Sequence, residues 1–338
     1  MHPVEFDNII RILEGFLGES KNGLSDNGQI QFPCPRCVEE KGEQEISKYN
    51  LEVNLNRLVF KCWSCSSVDD SMEGRLSKLI RQYGSSADYQ DYKKELEGLR
   101  ASKLYDITDL DNNFNDKDEE EIVRLPKSFH KIDLDHCPDV RIREYLHKRK
   151  IDQTIIDKFN IGYTSRTESE WGMRNRIVIP SYNVFGELNY WVARDFSGKS
   201  KMKYKNCPAK KEDIIFQESL IDFDADIILC EGAIDCLYPF NAISMLGKVL
   251  SKKSYLYDAL VRRAHANIYI CLDADTEIKE TIKIYKILNV GSLKGKIKYI
   301  RLERYKDFGE LYESEGKRGI INAVRNAKQF NEIELFLE

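Results

Sequence analysis

The chain has 338 residues, 42% of them hydrophobic and 32% charged, with a formal net charge of −4. That length accommodates two or three domains, and no apolar run approaches the ~18 residues of a membrane span. The acidic balance excludes coating of nucleic acid by bulk charge. The charge is uneven, however: residues 106–121 carry eight acids and one lysine, and residues 199–211 carry six lysines and no acid.

The first residues, MHPVEFDNIIRILEGFLG, show no basic export signal. They read as an amphipathic helix with Phe6, Ile9, Ile10, Leu13, Phe16 and Leu17 on one face. A cytoplasmic location is therefore expected, where disulfides are rare, and the nine cysteines need another use. Cys34-Pro-Arg-Cys37 and Cys62-Trp-Ser-Cys65 form two C-x2-C pairs 24 residues apart. Each pair can turn two thiolates toward one metal, and two pairs complete a tetrahedron around a single structural Zn²⁺. Residues 49–61 between them read as a hairpin, giving the layout of a zinc ribbon. Phe60, Trp63, Arg57 and Lys61 are then available to single-stranded DNA by stacking and phosphate contact; equally, Phe60 and Trp63 could pack the ribbon's own core. Helical spacing follows at 73–83 and 88–99, the second capped by Ser85 or Ser86. The acidic stretch reads as a linker.

The larger body begins with helices at 139–149 and 152–159, then strands at 176–180 and 188–194 around a turn at Asn183–Gly186. From 226 the pattern alternates: strand DIILC, helix 232–240, strand AISML, helix 252–264, strand NIYICL, helix 276–289, strand IKYIR. Such alternation specifies a largely parallel sheet with helices on both faces. Cys230 and Cys271 lie in its apolar strands and read as packing residues. Residues 317–338 read as a further helix. Gly247-Lys248 lacks the first glycine and the following Ser/Thr of a phosphate loop, so no fused helicase motor is expected.

Three acidic elements fall at strand ends: Glu231 with Asp235, Asp273 with Asp275, and Lys306-Asp307 with Glu310. The carboxyl ends of parallel strands share one crevice. Carboxylates gathered there repel one another unless a hard cation holds them, which suits Mg²⁺ (or Mn²⁺) in a catalytic role, one to three ions. Singly, Asp275 reads as well as a helix N-cap and Glu231 as a turn residue.

EG-x-x-D followed by D-x-D resembles the TOPRIM domain of primases, topoisomerases and some nucleases, over about 226–312. The resemblance implies Glu231, Asp273 and Asp275 as catalytic and metal positions, Asp307 as a further metal ligand, and Asp235 and Glu310 as auxiliary acids. Gly309 departs from the pattern, standing where bacterial replicative primases have a second aspartate. Upstream, 143–164 resembles the helical lead-in of bacterial and phage primase cores, and 174–206 their basic subdomain. On that pattern Arg176, Arg194, Lys203, Tyr204 and Asn206, with Lys306, would bind nucleotide and template. Residues 66–70 depart from the glycine-rich turn usual after the last zinc ligand.

The implied fold class is multi-domain α/β: a zinc ribbon and helix at 1–104, an acidic linker at 105–124, a mixed α+β basic subdomain at 125–225, a TOPRIM parallel-sheet domain at 226–312 and a helical segment at 313–338. The implied function is that of a DNA primase of phage or bacterial type. It would make RNA primers from ribonucleoside triphosphates on single-stranded DNA, alongside a replicative helicase and a single-stranded-DNA-binding protein. The alternatives are a TOPRIM nuclease and a non-catalytic zinc-ribbon protein that binds single-stranded DNA.

Overall fold

The computed structural model describes residues 6–65, 72–101, 123–165 and 172–330. The expected linker from 105 to 122, the departure at 66–70 and the last eight residues lie outside that range. Two compact units divide at Glu121 and Ile122.

In the first unit four antiparallel strands run in the order β1 (Gln29–Phe32), β2 (Leu51–Asn54), β3 (Val59–Cys62) and β4 (Glu73–Arg75). The hairpin is β2–β3, with Leu51 opposite Cys62 and Val53 opposite Phe60. Alternation works as expected: Leu51, Val53 and Leu55 are fully buried, while the turn is tied by Asn54 Oδ1 accepting from the Arg57 amide. The expected helix at 73–83 is shorter than its pattern. Gly74 sits at φ 141 and pairs with Phe60 in β4, so helix α3 spans Leu76–Tyr83. Gly74 carries no Cβ, so it can adopt a φ that other residues would find strained.

Helix α1 (Asp7–Leu17) buries Ile9, Leu13 and Leu17 as its spacing requires. Helix α2 (Pro35–Lys41) carries Cys37, and helix α4 spans Ser86–Ala101. At its start Ser85 and Asp88 form a reciprocal cap: the Asp88 amide donates to Ser85 Oγ at 3.2 Å, and the Ser85 amide to Asp88 Oδ2 at 2.7 Å.

The second unit holds two sheets. An antiparallel sheet runs β5 (Phe129–Lys131), β6 (Gly162–Thr164), β7 (Arg176–Tyr182), β8 (Leu188–Asp195) and β9 (Tyr204–Asn206). Helices α5 (Val140–Lys148) and α6 (Gln153–Lys158) begin at Asp139 and Asp152, whose side chains cap them.

The other sheet has the order β11 (Ala242–Ser244), β10 (Ile227–Cys230), β12 (Ile268–Cys271), β13 (Ile297–Tyr299) and β14 (Lys328–Gln329). The first four strands are parallel and β14 is antiparallel. One face, with Ile227, Leu229, Ile268 and Ile270, packs on helices α7 (Tyr255–Arg263) and α8 (Ile278–Leu288). The opposite face, with Ile228, Cys230 and Cys271, packs on helix α9 (Phe308–Arg325) and the antiparallel sheet. Both cysteines are packing residues, as their strands required.

Two segments differ from the sequence reading. Residues 232–240 hold only one 3-10 turn, Asp235–Leu237. Pro239 has no amide to donate to the Asp235 carbonyl, and its ring crowds that carbonyl, so a longer helix cannot close there. The Asp235 carboxylate also accepts from the Gly232 amide, a local bond that competes with regular helix. Within 317–338 the helix ends at Arg325 and the chain turns into β14. Across a kink at Gly316 (φ 64) that helix continues a stretch that starts at Phe308, where Asp307 and Glu310 cap it together: the Glu310 amide donates to Asp307 Oδ1 and the Lys306 amide to Glu310 Oε2, both at 2.8 Å. Among the described residues no helix is long and apolar enough to cross a membrane.

Candidate metal centre and active site

Cys34 precedes α2 and Cys37 sits in its first turn, while Cys62 ends β3 and Cys65 lies three residues on. All four are buried and free of disulfides, and their sulfurs lie within 4.8 Å of one another. The Cys65 amide donates to the Cys62 sulfur at 3.4 Å, the contact that fixes a thiolate-bearing turn. Bonding among the sulfurs, led by Cys34, holds the Cys62 thiol far below its ordinary value and raises that of Cys34. Four soft, buried donors at tetrahedral spacing fit Zn²⁺, and the cluster is that of a zinc ribbon. Nearby, Phe60 is 2% exposed and belongs to the core, whereas Trp63 is 59% exposed. Lys61 Nζ lies 5.3 Å from the Trp63 ring centroid and pairs with Glu73 at 2.7 Å. Arg57 is exposed at the hairpin turn.

In the second unit a cavity of about 520 Å³ opens at the carboxyl ends of β10 and β12. Glu231 follows β10 directly and Asp273 stands two residues past β12. They line the cavity with Asp235, Asp307 and Glu310. Burial, with Asp307 and Asp273 nearby, pushes the Asp235 carboxyl up to about 7. Burial, with Glu231 and Asp307 nearby, pushes Asp273 up to about 6. These acids are close enough to repel, yet among the described residues only the four cysteines close to 4.8 Å. Oxygen donors at that wider spacing suit a hydrated hard cation, which takes one or two carboxylates and keeps several waters.

Asp275 does not line the cavity. Its carboxylate accepts from Lys306 Nζ at 2.9 Å, which lowers its pKa. Nor is it a helix N-cap, since α8 begins after Glu277.

Arg194, Lys203, Tyr204, Asn206 and Lys306 line the same cavity. Arg194 lies over the Tyr204 ring, 4.6 Å from its centroid, and donates to its hydroxyl. Arg194 Nε is buried without a hydrogen-bond partner, as is the Tyr145 hydroxyl on the same wall. Arg194 first, then burial, Lys306 and Arg149, lower the pKa of Lys203, while Asp307 opposes them: cations crowd here beside the acids.

Arg176 is placed differently from its expected role. It is 1% exposed, stands off the cavity wall, and donates to the carbonyls of Gly172, Ala193, Met202 and Lys203 and to Ser200 Oγ. Asp195 accepts from the Ser197 and Ser200 amides. The pair organises the lysine-rich loop from inside, so Arg176 shapes the groove without touching its contents.

Sequence reasoning missed Tyr145, Arg149, Glu313 and Thr276. Arg149 and Glu313 face each other across 3.6 Å on the cavity wall. Arg149 also lies near Gly309. A Cβ there would press on Asp307 Oδ1 at 3.0 Å, with Arg149 Nη1 at 3.4 Å, and the Gly309 amide bonds Asp235. A basic residue in the lead-in helix beside an acidic motif was the available signal.

The second unit therefore carries a parallel-sheet acidic site faced by a basic antiparallel sheet, and the first carries a four-cysteine ribbon. No family model matches the chain. It is similar to the curated DNA primase of Rickettsia prowazekii (strain Madrid E), 25% identical over 302 residues, covering 75% of this chain and 48% of that protein. It is also similar to the DNA primase of Rickettsia typhi (strain ATCC VR-144 / Wilmington), 24% identical over 338 residues, covering 86% and 54%. The chain thus spans about half the length of these relatives. Among solved structures it is similar to the zinc-binding and RNA polymerase domains of the Aquifex aeolicus primase, with TM-score 0.49, 18% identity, and coverage of 96% of this chain and 84% of that one. A DnaG primase catalytic domain bound to ssDNA gives TM-score 0.46, 17% identity, and coverage of 57% and 76%.

Proposed function

We propose that this chain is a DNA primase, joining ribonucleoside triphosphates into short RNA primers on single-stranded DNA. The observation that carries this is one groove lined both by the carboxylates of Glu231, Asp235, Asp273 and Asp307 and by Arg149, Arg194, Lys203 and Lys306. That combination of charges fits a triphosphate bridged by a divalent cation.

The 3′-hydroxyl of one ribonucleotide attacks the α-phosphate of the next, and pyrophosphate leaves. Glu231, Asp273 and Asp307 would hold Mg²⁺ or Mn²⁺, which would supply charge neutralisation and a lowered hydroxyl pKa. Asp275, held by Lys306, would be a further ligand, and Asp235 and Glu310 auxiliary acids. Arg194 and Lys203 hold the phosphates, and Tyr204 and Asn206 orient nucleotide and template. The ribbon, through Trp63, Lys61 and Arg57, takes hold of the template. A replicative helicase and a single-stranded-DNA-binding protein are the partners this chemistry serves.

Primer synthesis on mixed-sequence single-stranded DNA, with labelled ribonucleotides, Mg²⁺ and no added primer, tests the reading. Short RNA products that vanish with Asp273→Ala, while thermal unfolding stays cooperative, are expected. Metal-dependent DNA cleavage without nucleotides, and no RNA product, would replace it with a nuclease.

A further inference from the structure

The acidic site contains a hydroxyl that no motif accounts for. Thr276 Oγ1 donates to Glu231 Oε2 at 3.0 Å. The two residues come from different strand ends, Glu231 after β10 and Thr276 in the turn after β12. That turn is itself fixed, because the Thr276 amide donates to the Asp273 carbonyl at 2.9 Å and the Ala274 amide to the Lys306 carbonyl at 2.7 Å. Glu231 is fixed at its backbone too, its carbonyl accepting from the Gly247 amide at 3.0 Å and from Ser244 Oγ at 3.3 Å.

The contact matters because of what surrounds it. Glu231 and Asp273 follow neighbouring parallel strands and line the same cavity, where two carboxylates repel. With its backbone anchored, Glu231 relieves that repulsion by rotating its side chain away. A donor on Oε2 opposes the rotation. Because that donor rides on the turn carrying Asp273, it ties the orientation of one acid to the position of the other.

From this geometry we infer that Thr276 is a positioning residue: its hydroxyl presets Glu231 against Asp273 at the spacing a divalent cation needs. The inference rests on the assignment of a metal to Glu231 and Asp273. It predicts that the hydroxyl, not the bulk of the side chain, sets metal affinity, as hydrogen-bond partners of metal ligands generally do by 10–100-fold.

The test is Mn²⁺ binding followed by electron paramagnetic resonance on the zinc-loaded full chain, without nucleotide or DNA. The variants are Thr276→Val, Thr276→Ser and the double variant Glu231→Gln/Asp273→Asn. Thr276→Val is expected to weaken Mn²⁺ binding at least about tenfold, and Thr276→Ser to restore it to within about twofold of wild type. Primer synthesis by Thr276→Val should then recover at saturating Mn²⁺, a shift in metal requirement that general loss of structure would not give. Equal Mn²⁺ affinity in wild type and Thr276→Val overturns the role of Thr276 and leaves the metal assignment standing. Wild-type binding no tighter than that of the double variant overturns the metal assignment itself.

Discussion

The ribbon and the groove are both clusters of potential metal ligands, but they are built on opposite terms. In the ribbon, four sulfurs lie within 4.8 Å of one another and all are buried. The neighbouring thiols donate to the Cys62 sulfur rather than repel it, so the fold can bring the donors together in advance. In the groove the donors are carboxylates that repel, and each is restrained by something else: Asp275 by Lys306, Glu231 by Thr276, and Asp235 by the amides of Gly232 and Gly309. A closed thiolate set has no open position for a substrate, whereas a restrained, incomplete carboxylate set has room for water and phosphate. The contrast separates donors suited to a metal that holds a fold from donors suited to one that takes part in chemistry.

Removing a ligand from each site should therefore fail in different ways, and the largest effect belongs to the ribbon. Bound zinc contributes about 10–16 kcal/mol in small zinc modules, far more than a unit of this size could lose and stay folded. Cys37→Ser, or a strong chelator, should unfold the first unit while leaving the second folded. Limited proteolysis with mass spectrometry would show it as loss of protected peptides from the first unit alone, 29–65 among them. Protection of those peptides in zinc-free protein would remove the distinction between the sites.

An intermediate effect is expected at Arg176, which sharpens the comparison by having the groove's charge but none of its exposure. Its guanidinium is buried against four carbonyls and a hydroxyl. Arg176→Met removes a donor from each of them, with the Lys203 and Met202 carbonyls still accepting from the Asp195 amide and Ser200 Oγ, and should destabilise the second unit by about 2–3 kcal/mol. Arg194→Met, at the groove wall, should cost under about 1.5 kcal/mol and instead raise the KM for ribonucleotides. Chemical denaturation of the two variants side by side separates them; equal losses would contradict the division between holding the loop and holding the substrate.

How much of this was legible beforehand follows from the range of the forces involved. The cysteine spacing, the hairpin between the pairs, and the strands ending in Glu231 and Asp273 are local patterns that short-range chemistry dictates. Arg176 was misread because a motif shows that an arginine is needed but not which way it faces. Its burial depends on carbonyls as far along the chain as Ala193 and Lys203. Helix 232–240 failed for a local reason that could have been weighed, Pro239 after a glycine turn. Strands β1, β5, β6, β9 and β14 are two to four residues long, too short for alternation to register. Thr276 left no trace at all, since a lone threonine in a turn acquires meaning only when a carboxylate arrives from another strand.

The smallest effect is a pH dependence confined to the groove. Asp235 and Asp273 have pKa values of about 7 and about 6, above the ordinary 3.8. The folded chain therefore binds more protons than the unfolded chain between about pH 4 and pH 7. Their contribution to stability is greatest below that window and is lost as pH rises through it. Other carboxylates oppose this trend, so the clean readout is a difference between proteins. Metal-free Asp235→Asn, which cannot ionise, should gain in melting temperature relative to wild type as pH rises from 5 to 8, by roughly 2–4 °C for about 1 kcal/mol. Adding Mg²⁺ at pH 8 should shrink the gap, because a cation offsets the repulsion that the substitution removes. A gap that stays constant with pH would mean that neither burial nor the neighbouring acids raise the Asp235 pKa. The groove would then differ from the ribbon in ligand chemistry but not in stored repulsion.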